Sequence, residues 1–445
     1  MAATDVHYVR TDLAPVLPPP RATGGLLGWM RENLFSSIGN TILTLIGVMI
    51  LWLIFEPLIR FALIDAVWSG ANREACLGHS GACWPYVADY FSQFIYGRYP
   101  VDERWRVDIV FAAFAFGLVP MLVPAAPFKA ANVAYMLLVF PVGAFVLLTG
   151  GHLSVSGFLL PGFVMEPGPL KYWVDLVLLF AIIAGITFGL SRVSDNSPVR
   201  PLAIVGAVFL LAVVISFVTQ VDFGLSEVET PVWGGLLVTL VIAVTGIAAS
   251  LPLGIVLALG RRSDMPIVRL VSIVFIEFWR GVPLITVLFM SSVMLPLFLP
   301  EGVTFDKLLR ALIGVALFAS AYMAEVVRGG LQAIPRGQYE GAQALGLRYW
   351  QMMGLIIMPQ ALKLVIPGIV NTFIGLFKDT TLVLIIGLFD LLGQIQSSYT
   401  DPTWATPTQS HTGYLFAAAI YWTFCFSMSR YSIFMEKRLH TGHKR

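Results

Sequence analysis

Charged residues are scarce in this 445-residue chain, at 12% of the total. That is about half the fraction found in soluble globular proteins. Apolar and aromatic residues make up 57%, and the mean hydropathy is +0.81. So few charges cannot cover a water-soluble core of this size, which excludes a soluble enzyme, a disordered chain and a disulfide-rich secreted domain. The alternating pattern of an outer-membrane barrel is missing, and a net charge of +2 gives no indication of nucleic-acid binding.

Catalytic motifs are missing as well. No lysine follows a glycine, so the chain has no Walker A loop for ATP. Its six histidines never form H-E-x-x-H, and it has no G-x-S-x-G motif. These absences exclude an intramembrane hydrolase or metalloprotease of the usual kinds, and they leave a channel or a transporter as the functional class.

Long apolar runs are the main feature that the sequence does contain. A run of about 18 or more apolar residues can cross the hydrocarbon layer as a helix. We therefore predict an all-α, polytopic transmembrane helix bundle of about ten spans. The spans are placed at residues 38–55, 107–126, 131–150, 173–190, 201–219, 234–259, 282–299, 308–327, 364–390 and 413–432.

Lysine and arginine are concentrated in alternate short loops, a pattern that marks the cytoplasmic side of a membrane protein. The basic segments lie around Lys129, Arg192, Arg261 and Arg336 and after Arg430. The intervening loops 220–233 and 391–412 contain no lysine or arginine. We therefore predict that both termini are cytoplasmic, with residues 1–37 as a cytoplasmic tail, and that the long loop 56–106 is outside.

Polar residues divide the chain into two halves. Residues 38–225, including the loop 56–106, contain few intramembrane charges and no dense polar motif. We predict that they form an accessory transmembrane bundle. Residues 226–445 carry polar groups at defined places, and we predict that they form the functional core.

The most informative segment is residues 333–359, AIPRGQYEGAQALGLRYWQMMGLIIMP, which is too polar to insert and lies on the basic side. A proline ends the preceding helix. Residues 339–345 can then form short helical turns that stop at Gly346. The small residues Gly341 and Ala342 would let another backbone approach closely. These features predict an exposed helix–turn–helix with a small-residue face, and an ordinary amphipathic connecting loop is the alternative.

This segment resembles the cytoplasmic E-A-A loop of ABC importer permeases. The matching residues are Glu340, Gly341, Ala342, Gly346, Ile356, Met358 and Pro359. Gly341 stands where the family has alanine, and Met358 where it has leucine. Three further segments resemble motifs of polar amino-acid permeases, namely EFWRGVPL from Glu277, AYMAEVVRGG from Ala321 and KDTTL from Lys378. The resemblance covers residues 233–435.

The resemblance implies the five-helix core of a type I ABC importer permease. Such a core moves polar L-amino acids from the periplasm to the cytoplasm by alternating access. It also implies that this chain is not an enzyme, because two separate ATPase subunits bind ATP and Mg²⁺. The other implied partners are a paralogous permease chain in a heterodimer, a periplasmic amino-acid-binding protein and the lipid of a bacterial inner membrane. The residues implied to dock on the ATPase are Gln338, Glu340, Gly341, Ala342, Leu345 and Gly346.

The N-terminal extension narrows the resemblance to one group within these permeases. With ACWP from Ala82 and RWR from Arg104, it resembles the general and the acidic and amide L-amino-acid permeases of Gram-negative bacteria. The alternative function is an ion-gradient-driven secondary amino-acid transporter. Such a transporter would need intramembrane carboxylates or broken helices at corresponding places in two halves, and the halves of this chain do not correspond.

Two of the three cysteines, Cys76 and Cys83, lie close together in the polar loop that is placed outside. Because the periplasm is oxidising, we predict that they form a disulfide. One alternative is a metal site with His79 as a third ligand, although no fourth ligand is nearby. The other alternative is two unpaired packing thiols. Cys425 lies in an apolar run and is predicted to be a packing residue.

Charged residues in or beside the predicted spans are candidates for the substrate pathway, because a charge within a span is costly and usually pairs. Glu277 and Arg280 would share one helix face, and Asp379 and Thr380 interrupt an apolar run. Local ion pairs that hold helices together are one interpretation. The other is that all four residues line the path of a zwitterionic amino acid. Glu277 and Arg280 could instead lie at the cytoplasmic interface.

Overall fold

The computed structural model describes residues 25–439 apart from 152–156, 158, 161–163, 167, 194–198 and 299–305. These described residues form helices and loops, with isolated β-bridges and no β-strand. The predicted all-α class is therefore confirmed. Residues 1–24 of the predicted cytoplasmic tail lie outside the described part of the chain.

The α-helices are numbered in chain order. They are α1 Gly25–Asn33, α2 Ile38–Ile59, α3 Trp84–Tyr96, α4 Arg104–Leu122, α5 Lys129–Ala134, α6 Phe140–Thr149, α7 Pro169–Val193, α8 Val199–Gln220, α9 Gly235–Arg261, α10 Pro266–Gly281, α11 Leu284–Phe289, α12 Lys307–Ala333, α13 Arg336–Ala344, α14 Tyr349–Met352, α15 Met358–Leu364, α16 Ile366–Asp379, α17 Leu391–Ser397 and α18 Gln409–Leu439. The π-helical turns are Arg60–Ile64, Tyr135–Val139, Met290–Met294 and Met353–Ile357. The 3₁₀ turns are Arg73–Ala75, Val101–Glu103, Thr230–Val232, Leu295–Phe298, Thr380–Ile386 and Ser398–Thr400.

Eight helical segments in the described residues are long and apolar enough to span a membrane. They are Ile38–Ile64, Val101–Leu122, Lys129–Thr149, Pro169–Gly189, Pro201–Gln220, Gly235–Arg261, Lys307–Ala333 and Ile366–Ile386. The described residues also contain a bent helix pair, in which α10 is followed by Leu284–Phe298. If this pair is counted as one span, the number of candidate spans is nine. The tenth predicted span, 413–432, lies in α18. That helix has 31 residues but does not reach the same hydropathy, since serine, threonine, tyrosine and Arg430 dilute its apolar residues.

The bend between α10 and α11 measures 102°. Pro283 precedes the first turn of α11 and cannot continue α10, because proline has no N–H group and its ring blocks the preceding turn. The predicted span 282–299 is therefore only the second limb of a bent pair. Its first limb, α10, lies outside the predicted spans, because Arg269, Glu277 and Arg280 interrupt its apolar pattern.

The centre of the core is the contact between α9 and α12, which are 27 residues long each. Small residues allow this contact. A Cβ atom added at Gly254 of α9 would lie 2.7 Å from Cβ of Met323 on α12. Two turns further along α12, a Cβ atom added at Gly330 would lie 2.7 Å from the carbonyl oxygen of Ala361 in α15. Helices in lipid associate through close packing over small residues, because the lipid is itself apolar and provides no hydrophobic driving force for their contact.

The loop between α2 and α4 packs onto the core. We call residues 67–99 the stapled segment, because a disulfide joins Cys76 to Cys83 within it. The metal alternative with His79 would need both sulfur atoms free. The backbone N–H of Cys83 donates to Oγ1 of Thr412 at 3.0 Å, which anchors the staple to α18. Both cysteines are buried in a cluster that also contains Leu391 and Trp404.

Polar side chains along α3 strengthen this attachment. The hydroxyl groups of Tyr86 and Ser398 lie 2.5 Å apart, and Tyr90 donates to Asp401. Hydrogen bonds from Thr403 and Tyr90 hold the pKa of Asp401 below its ordinary value, while burial raises the pKa of Tyr90. At neutral pH the tyrosine therefore remains a donor to an ionised carboxylate.

The RWR segment joins the two halves of the chain. Arg106 is 1% exposed, and its guanidinium donates to the carbonyl and hydroxyl oxygens of Ser226 at 2.8 and 2.9 Å. Glu103 neutralises the charge at 2.7 Å. The start of α4 is thereby fixed to the linker that leads into the core.

By contrast, α2 makes few contacts with the rest of the described chain, one of them a hydrogen bond from Thr44 to the carbonyl of Leu34 at 2.8 Å. No residue of this helix is buried, although almost all of its residues are apolar. Most of its circumference is available to lipid or to another chain.

The disulfide gives a direct labelling prediction. Denatured but unreduced protein should take up one thiol label per chain, at Cys425, the free cysteine. After reduction it should take up labels at all three cysteines. The control variant Cys425→Ser should show no label before reduction. Labelling of Cys76 and Cys83 without reductant would contradict the disulfide.

Candidate functional site

The segment 333–359 forms the helix–turn–helix that the sequence predicts. Helix α13 begins after Pro335, and its end is closed by a hydrogen bond from the N–H of Gly346 to the carbonyl of Gln343, at 2.9 Å. Gly346 has a φ of +72°. Residues with a Cβ atom resist this conformation, so glycine sets the angle between α13 and α14.

Ala342 points into the chain's own core. It is 2% exposed and belongs to a cluster with Leu331, Met353 and Ile357. This corrects the expectation that Ala342 presents a small face to a partner. Its size is required by packing of α13 onto the ends of α12 and the Met353–Ile357 turn, a contact between segments that the loop sequence alone does not reveal.

The outward face of α13 carries the other predicted docking residues. Gln338, Glu340, Gly341 and Leu345 are all exposed. Leu345 is 76% exposed, and nothing lies within 4 Å of a Cβ atom added at Gly341. We call α13, α14 and the turn between them, residues 336–352, the hairpin. It thus offers a partner one acidic side chain, one open backbone position and one apolar side chain.

A second constellation lies where α9, α10 and α12 meet. We call it the charge cluster, and it consists of Arg261, Glu277, Arg280, Glu325 and Arg328. Glu325 accepts hydrogen bonds from Arg328 at 2.7 and 2.9 Å and from Arg261 at 2.7 Å. Arg280 approaches it at 3.7 Å, and Arg261 also reaches Glu277 at 2.9 Å. Three guanidinium groups thus share two carboxylates.

Glu325 is the centre of the charge cluster. Its side chain is 15% exposed, the lowest value of the five, and it contacts all three arginines. Glu277, at 54% exposure, is the outermost member. Since exposed ion pairs contribute little and half-buried, hydrogen-bonded ones contribute more, Glu325 should carry most of the stabilisation.

Sequence reasoning found two members of the cluster, Glu277 and Arg280, and missed the rest. Glu325 and Arg328 are three residues apart on α12, a spacing that signals a shared helix face. Arg261 belongs to a different helix, and no local pattern could have placed it beside them.

Asp379 and Thr380 lie elsewhere. They stand where α16 gives way to the 3₁₀ turn Thr380–Ile386. Thr380 is 1% exposed and donates to the carbonyl of Phe377 at 2.8 Å. Among the described residues, no hydrogen bond or ion pair joins either of them to the charge cluster. Of the four predicted pathway residues, Glu277 and Arg280 therefore belong to the charge cluster and Asp379 and Thr380 do not.

Comparison with known proteins agrees with this architecture. Residues 250–441 match the family described as binding-protein-dependent transport system inner membrane component. The chain is 45% identical to the inner membrane amino-acid ABC transporter permease protein YhdY of Escherichia coli (strain K12), over 96% of this chain and 97% of that protein.

Two further matches are similar in kind. The chain is 43% identical to the glutamate/glutamine/aspartate/asparagine transport system permease protein BztC of Rhodobacter capsulatus, over 99% of this chain and all of that protein. Among solved structures, it is 30% identical to a chain of an amino acid ABC transporter with histidines, with a TM-score of 0.41, over 46% of this chain and 92% of that chain.

The apolar spans and the exposed helical hairpin define a multi-pass membrane permease. With such identity over nearly the whole of both relatives, the chain belongs to the inner-membrane permeases of binding-protein-dependent ABC transporters. Permeases of this class work with an ATPase and a substrate-binding protein. Membership favours an ABC permease over an ion-gradient-driven secondary transporter.

The central position of Glu325 can be tested by removing its charge. Glu325→Gln should leave Arg261 and Arg328 without a shared carboxylate and should lower the stability of the bundle by about 1–3 kcal/mol. Thermal unfolding of the purified protein in detergent measures this. Glu229→Gln is the control, because Glu229 is exposed and makes no side-chain hydrogen bond or ion pair in the described structure. Equal shifts for the two variants would contradict the central role.

Proposed function

We propose that this chain is a transmembrane permease subunit of an ATP-driven importer of polar L-amino acids, which it moves from the periplasm to the cytoplasm by alternating access. The observation that carries the proposal is the near full-length identity to two amino-acid permeases. The name of the Rhodobacter capsulatus relative points to glutamate, glutamine, aspartate and asparagine as the first substrates to test.

The proposed complex contains a second, paralogous permease chain, two ATPase subunits that bind ATP and Mg²⁺, and a periplasmic amino-acid-binding protein. Hydrolysis takes place on the ATPase subunits, and this chain is not an enzyme. The distribution of lysine and arginine supports cytoplasmic termini and a cytoplasmic hairpin, with the stapled segment on the periplasmic side. We propose the domain boundaries predicted from the sequence, with residues 38–225 as the accessory transmembrane bundle and residues 226–445 as the permease core.

Coupling is assigned to the hairpin. The exposed residues Gln338, Glu340, Gly341 and Leu345 dock on an ATPase subunit, where Glu340 can pair with a basic side chain. Gly346 holds the turn, and Ala342 fixes α13 to the body of the permease. Movement of the ATPase then reaches the membrane helices through a small, tightly anchored element.

The substrate pathway is assigned to the two polar places described above. An α-carboxylate needs a cation and an ammonium group needs a carboxylate or carbonyl groups. Arg280 and Glu277 at the edge of the charge cluster offer the first pair of groups. Asp379, which is half-buried, and Thr380 offer the second.

The substrate class is tested by uptake. Proteoliposomes that contain the whole complex should take up labelled polar amino acids only with ATP inside and binding protein outside. Arg280→Gln and Asp379→Asn should each lower the rate or change the order of preference among glutamate, glutamine and arginine. If both variants assemble and match the parent in rate and preference, these residues do not line the pathway. Uptake that persists without ATP would contradict the proposed function.

The coupling role is tested at the turn. Gly346→Val should distort the hairpin, because valine resists the positive φ, and should lower transport and binding-protein-stimulated ATP hydrolysis while the bundle still inserts. Ala342→Trp should act similarly by overpacking the contact beneath α13, at a cost of about 1–3 kcal/mol. The matched control is Gly354→Val, since nothing lies within 4 Å of a Cβ atom there and its φ is not positive. Normal stimulation with full retention of the ATPase subunit in Gly346→Val would remove the hairpin as the coupling element.

A further inference from the structure

Tyr339, on the inward side of α13, is held by two other helix ends. Its hydroxyl donates to the carbonyl of Leu331 at 3.2 Å, in the last turns of α12. It also accepts a hydrogen bond from Nη1 of Arg262 at 3.1 Å. The same nitrogen donates to the carbonyl of Leu331 at 3.2 Å. The three groups therefore form a closed triangle that ties α13 to the ends of α9 and α12.

A second contact reinforces one side of this triangle. The guanidinium of Arg262 lies 5.6 Å from the centre of the Tyr339 ring, within the range of a cation–π interaction. Arg262 thus holds both the ring and the hydroxyl of Tyr339. When α13 moves, these contacts must therefore either break or pull the end of α9 along with it.

Arg262 follows Arg261 in the chain, and the two side chains serve different sites. Arg262 caps the C-terminus of α9 and binds the hairpin. Arg261 binds Glu277 and Glu325 in the charge cluster. The peptide unit between them holds their Cα atoms about 3.8 Å apart, so a displacement of the backbone at Arg262 is passed on to the backbone of Arg261.

Glu277 lies one helical turn before the end of α10. Beyond it, α10 ends at Gly281 and the chain turns by 102° into α11. No Cβ atom restrains Gly281, and nothing lies within 4 Å of the position that one would occupy. The Glu277–Arg261 ion pair is thus a polar contact on the last turn of α10 before this open bend.

We infer that Tyr339 and Arg262 are positioning residues that transmit movement of the coupling hairpin to the charge cluster and, through Arg261 and Glu277, to the bend between α10 and α11. The inference rests on the proposed function, in which the hairpin is the coupling element. It assigns the route by which that element acts on the membrane helices. A physical route requires energetic coupling between its ends and not only proximity, so the test measures that coupling.

The experiment uses the complete complex in lipid vesicles, with binding protein, ATP, Mg²⁺ and labelled glutamate or glutamine. The variant Tyr339→Phe removes one hydroxyl group and keeps the ring. The measured quantity is the number of amino-acid molecules transported per ATP hydrolysed. We expect this ratio to fall about fivefold, the effect of one lost hydrogen bond, with unchanged retention of the ATPase subunit.

Tyr349→Phe is the matched control. Tyr349 lies in the same hairpin, and its hydroxyl makes no hydrogen bond in the described structure, so its loss should leave the ratio unchanged. A double-mutant cycle then combines Tyr339→Phe with Glu277→Gln. If the two act along one route, the double variant should lose much less than the product of the single losses.

The outcomes separate the inference from the proposed function. A normal ratio in Tyr339→Phe, or losses that multiply in the cycle, overturns the route while Gly346→Val still uncouples the complex. Loss of the ATPase subunit in Tyr339→Phe also overturns it, since Tyr339 would then act in docking. Normal coupling in Gly346→Val overturns the coupling role of the hairpin itself, and the route with it.

Discussion

The close contact between α9 and α12 is the constraint on which the rest of the core depends. It requires a residue without a Cβ atom at Gly254, because Met323 occupies that space. Once the helices are in contact, their ends lie together, so that Arg261 donates to Glu325 and Arg262 donates to the carbonyl of Leu331. The charge cluster and the base of the hairpin are therefore consequences of one packing event. A larger residue at Gly254 would separate both sites from their partners.

The features that the sequence predicts well are those with local causes. Apolar runs locate the spans, a proline and Gly346 locate the hairpin, and the closeness of Cys76 and Cys83 suggests the staple. The features that it predicts poorly depend on which helices become neighbours. The inward orientation of Ala342 follows from the path of α12 and the Met353–Ile357 turn, and the role of Arg261 follows from the position of α10. No periodicity or motif in the sequence indicates either the orientation of Ala342 or the role of Arg261.

The stapled segment shows how the accessory half can restrain the core. Beside the apolar cluster around Leu391 and Trp404, its contacts with the core include hydrogen bonds from Gln93 to Gln394 at 3.1 Å and from the indole of Trp404 to Asp89 at 2.7 Å. Directional hydrogen bonds of this kind fix position more strictly than apolar packing does. The segment thereby restrains the connection between α16 and α18, a part of the core that is otherwise a short helix and loops.

The hydrogen bond between Cys83 and Thr412 joins residues that are 329 positions apart. At a synthesis rate of about 5–20 residues per second, roughly 15–65 s pass between the appearance of the two partners on the ribosome. The disulfide closes the loop from Cys76 to Cys83, and both of its cysteines lie within the first hundred residues. It can therefore hold this short loop closed during the interval before α18 exists. The stapled segment is thus synthesised before the residues of α18 that anchor it. In the meantime a local covalent bond constrains part of the segment.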